Sequence, residues 1–105
     1  MNGATFRATR ERLGLTTRWV ADELDVNERS VHRWENDQSP IPEGVAGALD
    51  SWEALHDEYV AEARDPVVVP RTGHRGGFPA AWWRAVAAEA HREHGAGIDY
   101  EDPTG

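Results

Sequence analysis

Residues 13–36 read LGLTTRWVADELDVNERSVHRWEN, and the spacing of the apolar side chains within them decides how the N-terminal part of the chain folds. Val20, Ala21 and Leu24 fall on one face of a helix that Thr16 is placed to cap, because a threonine hydroxyl accepts from the backbone N–H groups that open a helix. Only Asp25 and Val26 separate this helix from Asn27, a second capping residue. Val31 and Trp34, three apart, then turn inward on another helix running through Asn36. Ala21 allows close approach of the two helices and Val26 plugs the turn. Glu28, Arg29, His32, Arg33 and Asn36 are left facing outward, a division that comes from spacing alone.

Outward from this run the chain keeps a helical pattern. In TFRATRERLGL (residues 5–15), Phe6, Arg10 and Leu13 stand at i, i+4 and i+7, and Gly14 supplies a stop. DQSPIPEG (37–44) is a loop by its proline, aspartate and serine content, with Pro42 near a helix start. Val45, Leu49, Trp52, Leu55 or His56, and Tyr59 predict a long fourth helix to about Arg64. Gly44 and Gly47 leave two shorter helices as the alternative. At Asp65 the character changes: PVVVP (66–70) reads as a short edge strand and RTGHRGGFP (71–79) as a glycine-rich loop. AAWWRAVAAEAHREH (80–94) reads as a last helix and GAGIDYEDPTG (95–105) as a frayed tail. The expected organisation is therefore a helical domain over 1–64 and a strand-loop-helix extension over 65–105.

The chain has 105 residues and a formal net charge of -8, with no cysteine and no lysine. That length fits one compact unit with a modest core and leaves self-association as a natural supplement. No run approaches the roughly 18 apolar residues of a membrane span, and no signal-peptide pattern opens the chain, so a cytoplasmic location is expected. Absence of cysteine removes disulfides and thiolate metal sites. The acidic balance argues weakly against nucleic acid, whose phosphates reward clustered cations, but docking is local and arginine is well suited to bidentate contact with bases and phosphates. His91 and His94 share a helical face, yet two histidines at a polar helix end make a poor metal site. GHRGG lacks the strand, spacing and lysine of a P-loop. No nucleophile, base and acid arrangement stands out, so neither enzyme activity nor a cofactor is expected.

The quoted run resembles the Cro/repressor-like, xenobiotic-response-element type of helix-turn-helix, with Ala21, Leu24, Val26, Val31, Trp34 and Glu35 fitting the family's pattern over roughly residues 4–50. The resemblance implies a mainly α, lambda-repressor-like DNA-binding domain. It places Asn27, Glu28, Arg29 and Arg33 at base edges in the major groove, and Thr16, Thr17 and the amides opening their helix at a phosphate; His32 and Asn36 are expected as further phosphate neighbours. Salt bridging of Arg29 or Arg33 to Glu28 or Asp37 is the alternative, as is a merely solvated His32. The resemblance also supplies Glu35 as the partner of Arg10, which would be costly on an apolar stripe unless paired or extended to solvent. Three residues depart from the pattern. Asp25 replaces the usual turn glycine, Thr17 stands where glutamine is common, and Glu28 repels phosphate although it can accept from cytosine N4.

IPEGV and WWRAVAAEA are faintly similar to phage and bacterial autorepressors of the anti-CRISPR-associated type, which append a strand and a dimerising helix to this unit. Trp52, Tyr59, Trp82 and Trp83 are more aromatic surface than one small helical core absorbs, so a homodimer interface is expected in the C-terminal third, with Val67, Val68 and Val69 pairing across a two-fold. Trp82 and Trp83 project about 100° apart on a helix, and they are expected to share that homodimer interface or else to cover the first domain. The resulting expectation is a homodimeric transcriptional repressor reading an inverted repeat in double-stranded DNA. Its rival is a protein-interaction module on the same scaffold, such as an antitoxin that binds a toxin.

Overall fold

A computed structural model describes residues 1–102 and divides the chain into two compact units, Met1–Glu53 and Ala54 onward. Four helices occupy the first part: α1 Gly3–Arg12, α2 Thr17–Leu24, α3 Glu28–Glu35 and α4 Glu43–Glu62. The fourth is a single unbroken helix, so Gly44 and Gly47 do not divide it. The division between the two units falls within α4, between Glu53 and Ala54, and in the second unit His56 and Tyr59 on the later turns of α4 meet Trp82.

The first unit follows from local signals. Asn2, Thr16 and Asn27 cap α1, α2 and α3 by accepting from Thr5 N, Trp19 N and Arg29 N at 2.8, 3.0 and 2.8 Å, which satisfies amides that have no intrahelical acceptor. Asp25 ends α2 in the left-handed region (φ 54°, ψ 48°), so aspartate does serve where glycine is usual. Phe6, Leu13, Leu15, Val20, Ala21, Val31, Trp34 and Leu49 form the core. Phe6 meets Trp34 edge-on, as Trp19 meets Trp52, and Arg12 on α1 pairs with Glu53 on α4 at 2.6 Å.

Gly3 lies where α1 abuts the end of α3, and its amide donates to Asp37 Oδ1 at 2.8 Å. A Cβ there would strike the backbone carbonyl oxygens of Trp34 and Glu35, which no rotamer change can relieve. Gly3→Ala is therefore expected to destabilise the protein by about 1–3 kcal/mol despite alanine's better helix propensity. Urea denaturation checks this; an unchanged or raised midpoint would contradict the close approach.

In the second unit β1 (Val67–Val69) pairs in parallel with β4 (Ile98–Tyr100), Val67 opposite Ile98 and Val69 opposite Tyr100. A parallel pair needs a long crossover, here supplied by the hairpin β2 (His74–Arg75) and β3 (Phe78–Pro79) followed by α5 (Ala80–His94). Two expectations are corrected. RTGHRGGFP is not only a loop: Gly76 and Gly77, at φ 61° and 85°, form a two-residue turn that closes a hairpin. The segment expected to fray contains β4, held by Glu101 N donating to Val69 O and by Val67 N donating to Gly97 O. The last three residues of that segment, 103–105, lie outside the described part.

Trp82 fills the centre of this unit at 0% exposure, stacked on Phe78 with centroids 4.0 Å apart and edge-on to His56 and Tyr59. Trp83 lies half-buried against Tyr59 and beneath the Arg75 guanidinium, and its Nε1 donates to Arg75 O at 2.9 Å. Trp82 and Val69 are buried within their own unit. Val67 and Trp83 are partly exposed and Val68 is 44% exposed.

Candidate nucleic-acid interface

The outward face of α3 is built by what its inward face needs. Val31 and Trp34 are buried against α1 and α2, and this fixes the rotation of the helix. Glu28, Arg29, His32 and Arg33 then emerge on the exposed side. Rotation is further held by the Arg10–Glu35 pair, in which Arg10 Nε and Nη2 donate to the two Glu35 oxygens at 2.5 and 3.0 Å. Arg10 Nη1 also donates to Leu15 O at 2.9 Å. Both side chains are largely buried, so Arg10 does not extend to solvent and Glu35 is occupied inside the unit.

The capping bonds decide which polar groups stay available. Asn27 accepts from Arg29 N through its side-chain oxygen, and its amide N–H groups remain to donate to a ligand. Thr16 accepts from Trp19 N but retains its hydroxyl proton. Asn36 ties one amide N–H to His32 O at 2.8 Å, capping the end of α3. Thr17 differs, because its Oγ1 donates its single proton to Glu28 Oε2 at 2.8 Å across the turn. That hydroxyl proton is thus engaged within the protein.

Among the described residues Arg29 and Arg33 form no ion pair, so the salt bridges to Glu28 or Asp37 weighed from the sequence are not made. Four apart on one helix, the two guanidiniums share a face. Arg18, passed over in the sequence reading, is exposed in the first turn of α2 beside Thr17 and is likewise without an ion pair among the described residues. Its signal was its position two residues after the Thr16 cap, at a helix end whose dipole disfavours a cation unless an anion is bound there.

Two helices joined by the Asp25–Val26 turn, the second with Arg29 and Arg33 on its outer face and in no ion pair among the described residues, constitute a helix-turn-helix. The chain matches the helix-turn-helix domain family over residues 3–62 and belongs to that family. No curated protein matches the sequence. Among the described residues no helix is long and apolar enough to cross a membrane.

Proposed function

We propose that the protein is a sequence-specific DNA-binding transcriptional regulator of the Cro/repressor-like type, a homodimeric repressor that reads an inverted repeat with one α3 per protomer. The observation that carries this reading is the pair Arg29 and Arg33, exposed on one face of α3 and unpaired among the described residues in a chain of net charge -8. Nineteen acidic residues stand against eleven arginines, yet among the described residues these two form no ion pair on the face where a major groove would lie. Either can form a bidentate contact with guanine O6 and N7. Arg18, the Thr16 hydroxyl and the amides that open α2 are suited to a phosphate. Two-fold pairing is favoured by the small size of a single reading helix and by the partly exposed Val68, Ile98 and Tyr100 of the β1–β4 sheet.

Arg29→Ala or Arg33→Ala is expected to cost about 1–3 kcal/mol of binding and to relax base preference at one position per half-site. Electrophoretic titration against single-base variants of a bound fragment measures this. A uniform loss across all variants would make the contact one to phosphate alone. The broader reading is tested by binding to genomic fragments at moderate salt, where strong preference for a few fragments is expected and a flat response would reject it.

A further inference from the structure

We propose that Thr17 is a positioning residue for base readout, holding Glu28 so that its carboxylate selects cytosine at one position in each half-site. The inference rests on the reading of α3 as the helix that enters the major groove. Glu28 and Thr17 are the first residues of α3 and α2, and the 2.8 Å bond from Thr17 Oγ1 to Glu28 Oε2 fastens a long, exposed side chain to the neighbouring helix. Oε1 carries no hydrogen bond among the described residues. A glutamate so fixed loses less freedom on meeting a base than one that samples many rotamers.

The chemistry of the free oxygen then narrows the base. An ionised carboxylate only accepts. In the major groove guanine presents two acceptors and thymine an acceptor beside a methyl group, so both repel or ignore it. Adenine offers its N6 amino group but sets its own N7 acceptor beside it, whereas cytosine offers N4 with no acceptor on its own major-groove edge. Cytosine is therefore the base that Oε1 accepts best. Because a carboxylate also repels phosphate, Glu28 contributes selectivity at the expense of affinity. Thr17 is what keeps its orientation constant.

The experiment compares wild type, Thr17→Val, Thr17→Ser and Glu28→Ala, all as full-length chains, on a duplex carrying the protein's preferred site. Each base pair of the half-site is substituted in turn. Wild type is expected to prefer cytosine at one position on the order of tenfold or more over the next base. Glu28→Ala should abolish that preference. Thr17→Val, which keeps shape and removes the hydroxyl, should reduce it with an unchanged thermal midpoint, and Thr17→Ser should restore it. Full cytosine preference in Thr17→Val would overturn the positioning role, and a preference that survives Glu28→Ala would overturn the assignment of the base to Glu28. A wild-type protein with no base preference at any position would instead overturn the DNA reading on which the proposal rests, so the two failures are distinguishable.

Discussion

Glu35→Ala is expected to lower the free energy of unfolding by about 3–5 kcal/mol, because it strands a buried guanidinium. Side-chain exposure is 11% for Arg10 and 6% for Glu35, so water cannot readily replace the lost carboxylate. Leu15 O would remain as a partner for Nη1, but Nε and Nη2 would lose both of theirs. The size of the loss reflects the unpaired charge more than the strength of the bond. Replacing both partners with apolar residues, Arg10→Met with Glu35→Leu, is accordingly expected to recover most of the stability. Urea denaturation of the single and double variants checks both statements. A single-variant loss below about 1 kcal/mol would mean that the pair is far better solvated than its burial indicates.

Trp82→Ala is expected to cost a similar amount, about 3–5 kcal/mol, for a different reason. The indole has no exposed surface and touches Phe78, His56 and Tyr59 on several sides, so its removal leaves a void lined by rings from α4 and β3. Its Nε1 meets no acceptor among the described residues. Trp82→Phe therefore removes a buried, unsatisfied donor along with some volume, and the expected loss is much smaller than for alanine. Thermal denaturation of the three proteins measures the order wild type, phenylalanine, alanine. Near-equality of alanine and wild type would show that the ring does not organise the second unit.

The contrast between the two units explains what could be read from the chain. Helices α1 to α4 announce themselves through caps and apolar spacings that operate within a few residues: Thr16, Asn27, Val31 and Trp34 each do what their local position requires. The β1–β4 pair does not, because Val67–Val69 and Ile98–Tyr100 become partners only after α5 has crossed between them. A three-residue strand at the end of a polar tail carries no periodic signal of its own. Trp82 and Trp83 do diverge on α5 as helical geometry demands. The second surface that Trp83 meets is nonetheless Arg75 and Tyr59 of its own chain.

The candidate interface was legible to the level of which side chains face out and no further. Spacing placed Glu28, Arg29 and Arg33 on the outer face of α3. It could not show that Thr17 donates to Glu28 across the turn, since that bond depends on the packing of one helix start beside another. The same packing distinguishes the roles of two adjacent threonines. Thr16 accepts with its hydroxyl, whereas Thr17 donates its own to Glu28.

The central claim is that the outer face of α3 reads DNA sequence, and selection from a pool of random duplex DNA tests it most directly. The wild-type protein is expected to enrich a two-fold symmetric motif with half-site centres about 34 Å apart along the duplex. The double variant Arg29→Ala with Arg33→Ala, checked to be folded, is expected to lose that motif. An unenriched pool from folded wild-type protein, or the same motif recovered by the double variant, would contradict the account.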